Sequence, residues 1–377
     1  MKLTVRTYAT PSAIESLSPE WRTLEKATPE ATGFQSPAWR ICCAGGRAAP
    51  RIVAVRQAKK LVMLLPLQVE SLWGVGVAYW LGEPLAQYGD ALALPGPGRA
   101  EWLAAADAEI ASWKDVDLVA MTRLRVDGVL ASAGAPLSFL KPAKFSAPYI
   151  ELDVASGRRS RSVERRQKKL EKYGPLRFET AGTAQERREA AAQALAMKRQ
   201  WLRDRRRFSA SLSNPQVGEN LLALAENGAL CAHRLWAGDW LASVELGVKS
   251  AGGYRSLVGA FDIGMAEASP GHALTLHMLE ALAREGVTRF DFLPPADPYK
   301  MLFATGASPM GALYRPLNLR GALAAFALAR LRPLAKRVLQ AAAQLGLSLE
   351  TAVERVQQVG AAFAWLAGVF PNRTPRV

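Results

Sequence analysis

The stretch from Gly253 to Phe303 constrains this chain most, because a strand, a helix and a second strand can be read off it in order. Gly253–Ala260 reads as a strand, followed by a loop ending in Ser269-Pro270-Gly271-His272, an apolar-striped helix, and a strand over Thr288–Leu293. Ser269 suits the position before the helix, Pro270 its first residue, and Gly286 the residue just past its end. Leu274, Met278, Ala281 and Leu282 recur at helical spacing and form the face to be buried. A strand feeding a helix whose first turn carries glycine, then a parallel strand, offers bare backbone N–H groups to a phosphate. That pattern predicts a nucleotide-like acyl carrier and hence a transferase. The plainer alternative is a βαβ unit whose helix is simply well capped.

The chain has 377 residues, half of them hydrophobic and 21% charged, enough for two domains with their own cores. Its most apolar stretches, Leu317–Ala329 and Val359–Phe370, are short or interrupted, which argues against a membrane span. Met1–Arg6 alternates like a first strand and lacks the apolar core of a signal peptide, so a cytoplasmic location is expected. Cys42 and Cys43 are adjacent and Cys231 is distant, while His233, His272 and His277 have no ligand spacing. Neither a disulfide framework nor a metal site is expected. A net charge of +15 predicts attraction to anions without choosing among nucleic acid, coenzyme phosphates, acidic polysaccharide, nucleotide-sugar and anionic lipid.

Along residues 1–150, strands are expected near Lys2–Tyr8, Arg51–Arg56, Leu61–Val69, Ala78–Leu81 and Leu118–Met121. Helices are expected near Pro19–Lys26, Pro37–Cys42 and Arg99–Trp113, with Tyr149–Leu152 leading out as a strand. Residues 151–316 repeat that grammar. A basic helix comes first, then a strand near Leu176–Glu179, helices over Ala184–Arg203 and Gly218–Asn227, and strands over Ala229–Trp236 and Trp240–Val248. After Pro316 the chain turns Ala/Leu-rich. Two helical stripes appear there, one through Leu323, Ala327, Leu331, Leu334 and Val338, the other from Leu349 to Ala367.

Several motifs occur in a fixed order. They are Phe34-Gln35-Ser36-Pro37-Ala38-Trp39, Leu64-Leu65-Pro66-Leu67, Tyr79-Trp80-Leu81-Gly82-Glu83-Pro84 and Tyr88-Gly89-Asp90. The basic run Arg158–Lys172 follows, leading to Gly174 and Phe178, and then Phe290-Asp291-Phe292 with Tyr299-Lys300. Taken together, this set resembles the CelD/BcsL-type acetyltransferases of the GNAT superfamily, linked to cellulose and exopolysaccharide production and related to the Fem peptidyltransferases. The resemblance covers roughly residues 1–316 and implies an α/β fold with mixed α+β sheets. It implies tandem GNAT-like domains over 1–150 and 151–316, before a helical tail over 317–377. It further implies transfer of an acetyl or longer acyl group from acetyl-CoA or another acyl-CoA, without a metal. The acceptor would be an amine or hydroxyl of a sugar-linked molecule in envelope or exopolysaccharide assembly. Two alternatives stay open: a Fem-like transferase using aminoacyl-tRNA, and a non-catalytic accessory protein of a polysaccharide synthase.

By the same resemblance, the acyl site would lie in a splay between Gly253–Ala260 and Thr288–Leu293. The family's loop pattern Gln/Arg-x-x-Gly-x-Gly/Ala is met at Gly271 and Ala273, but Ala268 stands in place of the polar lead residue. Ser269, Gly271, His272 and Ala273 are the carrier-binding candidates. Asp291 would be a base or the orienter of one, the alternative being a solvated or capping carboxylate. Tyr299 would protonate the leaving thiolate, or merely pack; Lys300 would neutralise phosphate or oxyanion, or merely be exposed. Glu245, in mid-strand where burial of a carboxylate is costly, is a second base candidate unless alternation turns it outward. Tyr88 and Asp90 would shape an acceptor cleft. Eight Lys or Arg lie between Arg158 and Lys172, of which Arg158, Arg161, Arg165 and Lys169 share one helical face and would grip an anionic or sugar-linked acceptor. Arg203, Arg205, Arg206 and Arg207 form a second cluster. The lack of aromatic interleaving and of any DNA-reading motif argues against DNA. For residues 317–370 the plain reading is a helical pair on the core or on a second copy. The sharper reading is a basic amphipathic contact with a membrane-bound synthase or with lipid, peripheral to the inner membrane.

Overall fold

The computed structural model describes residues 2–152 and 167–328, apart from 45, 47, 73, 136–137, 140–145, 208, 210, 213 and 251, and also 337 and 341. Its frame is two sheets with one strand order. The first is built from β1 (Leu3–Tyr8), β2 (Ala49–Gln57), β3 (Lys60–Leu72), β4 (Val75–Trp80), β5 (Leu92–Ala93), β6 (Leu118–Arg125) and β7 (Ser138–Phe139). The second takes β8 (Ala147–Glu151), β9 (Leu176–Thr180), β10 (Cys231–Ala237), β11 (Trp240–Ser250), β12 (Gly253–Phe261), β13 (Arg289–Asp291) and β14 (Gly306–Ser308). A last strand, β15 (Met310–Pro316), returns to the first sheet.

The first sheet runs β1-β2-β3-β4-β6-β15-β7, with β5 beside β3; the second, from its far edge, runs β9-β10-β11-β12-β13-β8-β14. Both are antiparallel except at one junction each, β4 with β6 and β12 with β13. The strand beyond each junction comes from the far end of the other half's sequence: β15 pairs with β6, and β8 with β13. A sequence boundary at 316 would assign β15 to the second half, yet the chain inserts it into the first sheet.

The helices follow their caps. The first, α1 (Pro11–Ala27), starts where the Thr10 hydroxyl accepts from the Ala13 N–H at 3.4 Å, and it contains Pro19. The sequence reading started this helix at Pro19; Thr10-Pro11 is the real start, and Ile14, Leu17, Trp21 and Leu24 are buried beneath it. The junction helix of the first half is α2 (Arg99–Ala111), and α3 (Val129–Ser132) follows β6. In the second half, α4 (Ala184–Asp204) opens with a capping box of Thr183 and Glu186, and α5 (Pro215–Glu226) with Asn214. The junction helix there is α6 (Pro270–Arg284), and α7 (Pro298–Met301) follows β13. Beyond β15 lies α8 (Leu319–Phe326).

One hydrophobic cluster spans both halves, joining Phe34, Trp39 and Tyr88 to Val217, Leu221, Val244, Leu246 and Val248. The approach is close enough to require glycine at Gly33. Its φ is +82°, and a Cβ there would lie 2.6 Å from Val248 Cγ1. Asn220 Nδ2 also donates to the Cys42 carbonyl at 3.3 Å. Among the described residues, no helix is long and apolar enough to cross a membrane, and no group of three His, Cys, Asp or Glu could hold a metal ion. The basic face at Arg158, Arg161 and Arg165, and the tail stripes past residue 328, lie outside the described residues; Lys169 is exposed.

Candidate active site

β12 and β13 pair only at their starts, Gly253–Arg255 with Arg289–Asp291. Beyond that, β13 ends while β12 continues to Phe261. A bulge in β12 drives the divergence. Val258 lies opposite Leu246 but Ser256 lies opposite Gly247, leaving Leu257 as an extra residue that bends the strand. Leu293, with φ of +60°, then turns the chain out towards α7. The parting falls between the strands where the sequence reading expected a splay.

Glu245 sits on this parting. It lies opposite Gly259 on β12, where a Cβ would come within 2.6 Å of its Oε2. Ser256 Oγ donates to Glu245 Oε1 at 2.5 Å, a contact the bulge makes possible. Burial pushes the Glu245 carboxyl up to about 7, against the pull of Ser256 and of the Lys198 and Lys300 ammonium groups. A carboxyl at that value is part ionised at neutral pH and can take up a proton.

Two lysines approach from different elements. Lys198 on α4 donates to the Gly259 carbonyl at 3.1 Å and packs over Trp201 at 5.0 Å; burial lowers its ammonium pKa, opposed by Glu245 and Asp297. Lys300 on α7 donates to the Leu293 and Pro295 carbonyls at 2.9 and 3.1 Å, so it also fixes the turn after β13. Burial lowers its pKa as well, while Asp297 and Glu245 oppose the shift. Tyr299 meets His272 edge-on at 5.4 Å between ring centroids and Phe292 at 6.1 Å. Desolvation and then the Glu245 charge raise its phenol above the ordinary range, so it holds its proton. Glu245, Tyr299, Lys300 and His272 are thereby brought into one constellation.

Asp291 is placed elsewhere. Side chains alternate along a strand, so Tyr254, Ser256 and Glu245 share the α6 side of the sheet while Arg255 and Asp291 take the other. Tyr88 Oη donates to Asp291 Oδ2 at 2.7 Å, and the Leu293 N–H donates to Oδ1 at 2.8 Å. Asp291 is 4% exposed, and both of its oxygens hold the chain together rather than facing the parting. Asp90 likewise accepts the N–H groups of Ala91, Val129 and Leu130, at 2.8, 2.7 and 2.9 Å, and so seats α3. That makes it a structural carboxylate instead of a wall of an acceptor cleft.

At the start of α6, Ser269 has a left-handed φ of 54° and its side chain does not cap the helix; Pro270 occupies the first turn as expected. The His272 and Ala273 N–H groups both donate to the Ser269 carbonyl, at 3.0 and 3.3 Å. They are therefore less available to a phosphate than bare helix-start amides would be. Gly271 remains open: a Cβ there would meet nothing nearer than the Phe261 ring, at 3.8 Å. Ala268, at the lead position, is buried. Sequence reasoning missed Ser256 and Lys198. Ser256 joins the site through a bulge of one residue, and Lys198 lies 47 positions before Glu245 on another element.

Residues 157–301 match the family model of an acetyltransferase (GNAT) domain. No curated protein matches the sequence. Among solved structures, FemX superposes with a TM-score of 0.60 at 14% identity, covering 84% of this chain and 98% of its own. The C-terminal domain (DUF2156) of an Agrobacterium fabrum protein named as a lysylphosphatidylglycerol synthetase gives 0.51 at 11% identity, covering 83% of this chain and 96% of its own. At such identities the likeness is one of fold. The second half of the chain carries a GNAT-type transferase domain, and a FemX-like layout runs across both halves.

Proposed function

We propose that the chain is an acyltransferase in which Glu245 is the general base and an acyl-CoA the donor. The carboxyl held at about 7 beside the opened strands carries this reading. Glu245 takes a proton from the acceptor amine or hydroxyl as the new C–N or C–O bond forms; the C–S bond then breaks, and Tyr299 gives its proton to the departing thiolate. Lys198 and Lys300 supply positive charge beside the reacting carbonyl. The open face at Gly271 gives the donor's phosphates their approach. A sugar-linked acceptor of envelope or exopolysaccharide assembly is the class that the ordered motif set favours. The occupied His272 and Ala273 N–H groups favour a second donor, aminoacyl-tRNA.

Calorimetry with acetyl-CoA at two salt concentrations, on wild type and Gly271→Val, tests the donor. Saturable binding weakened at least about tenfold by the variant is expected, and absence of binding moves the donor to aminoacyl-tRNA. With either donor, Glu245→Gln should keep binding and lose about 10²–10⁴-fold in turnover, and the wild-type rate should rise with pH through about 7. Unchanged turnover in Glu245→Gln would remove the base.

A further inference from the structure

α8 turns small residues to the first sheet. Ala324 is buried, and a Cβ at Gly321 would lie 1.8 Å from the Asp117 carbonyl oxygen. Asn318 caps the helix, its Oδ1 accepting from the Gly321 N–H at 3.0 Å. The other side carries Leu319, Leu323 and Phe326, which are 78, 67 and 62% exposed. Positions i, i+4 and i+7 share one face, so three large apolar side chains form a stripe away from the protein. Each would gain from leaving water, which makes the stripe a surface built for an apolar medium.

Its charge setting identifies the medium. From Pro298 to Leu349 the sequence contains no Asp or Glu, although such residues number 33 in 377 overall. Lys300 in that run belongs to the site beside Glu245, whereas Arg315, Arg320, Arg330, Arg332, Lys336 and Arg337 flank or follow α8 in sequence. Arg315 is spent on an ion pair with Asp107. Arg320 lies within electrostatic reach of the single Asp117 carboxylate, so the excess stays positive; a second copy of this chain would bring the same excess to the contact and be repelled. An anionic bilayer supplies both requirements, an apolar interior and negative headgroups.

We propose that α8 seats the protein on an anionic lipid bilayer, with Leu319, Leu323 and Phe326 entering the headgroup–acyl boundary and Arg320 meeting lipid phosphate. The contact is peripheral, since eight residues cannot span a bilayer.

Flotation of the full chain with vesicles tests this, using phosphatidylcholine alone and phosphatidylcholine with about one-third phosphatidylglycerol. Binding to the anionic vesicles should exceed neutral binding at least about tenfold and fall as salt is raised. The triple variant Leu319→Ser, Leu323→Ser, Phe326→Ser should lose at least about tenfold with an unchanged melting temperature. Arg320→Glu, which leaves the apolar stripe in place, should lose about fivefold or more and carries the test should the triple variant fold poorly. Equal partition into neutral vesicles, no binding at all, or variants that bind like wild type would overturn the proposal. So would dimerisation that the triple variant abolishes in the absence of vesicle binding, because the face would then belong to a second copy.

Discussion

The two halves are one sheet plan built twice, and they differ most at the junction where the parallel strands part. In the first half the chain fills its own junction. After Trp80 it folds back, and Gly89 bridges to Leu124 while its N–H donates to the Arg123 carbonyl at 3.1 Å. Trp80 packs so tightly on Gly89 that a Cβ there would lie 1.9 Å from the ring. At the start of α2, buried Arg99 donates to Glu30 at 2.6 and 3.1 Å and to the Leu94 carbonyl at 3.0 Å. In the second half, the extra residue in β12 keeps the strands apart and Glu245 lines the gap. On a shared strand order, the junction is therefore filled by the chain in one half and left open beside Glu245 in the other.

The carboxylates Glu70 on β3 and Glu245 on β11 offer the sharpest way to break this comparison. The Glu245 carboxyl is raised from an ordinary 4.5 to about 7, so its ionised form costs the native state nothing at pH 4 and most above pH 7. Glu245→Gln should therefore stabilise the protein by up to ~3 kcal/mol at pH 8 and by almost nothing at pH 4, measured by denaturant unfolding. Glu70 instead accepts the Tyr79 hydroxyl at 2.6 Å. Glu70→Gln at pH 8 should cost about 1–2 kcal/mol, because a charge-assisted bond is weakened. Opposite signs at pH 8 distinguish a site carboxylate from a structural one; matching signs would erase the contrast.

The helix starts give a second contrast. At Gly98, before α2, a Cβ would lie 2.7 Å from the Trp102 ring, whereas Gly271 has only ordinary contact. Gly98→Ala should cost about 1–3 kcal/mol through overpacking, and Gly271→Ala should stay within about 0.5 kcal/mol of wild type. Equal losses in thermal unfolding would mean that the second junction is as closed as the first.

Local patterns made the second half legible. Pro270 and Gly286 bound α6 as the sequence reading expected, and Glu245 was a candidate because a carboxylate interrupted an apolar strand. What escaped depends on long-range pairing. Nothing local marks Met310–Pro316 as a strand of the first sheet, since its partner β6 lies almost 200 residues earlier. The orientation of Asp291 was hidden for the same reason: alternation says that it faces one side, while the identity of that side is fixed by Tyr88 from the other half. Pro19 misled as a start signal because α1 carries a proline in its interior.

The link between the halves gives the last contrast, read from a coupling of about 1 kcal/mol. If Asp291 is an anchor, Tyr88→Phe removes a buried donor and should cost about 1–3 kcal/mol, as should Asp291→Asn. Because Tyr88→Phe removes and Asp291→Asn weakens the same hydrogen bond, the double variant should fall short of the sum by about 1 kcal/mol in a mutant cycle of unfolding free energies. Turnover supplies the decisive readout. An anchor predicts that both single variants lose similar, modest activity, through the shared displacement of β13. A base predicts that Asp291→Asn falls by orders of magnitude while Tyr88→Phe does not. The 2.7 Å bond from Tyr88 and the 2.8 Å bond from Leu293 already occupy both carboxylate oxygens, so the coupled, modest pair is the expected result.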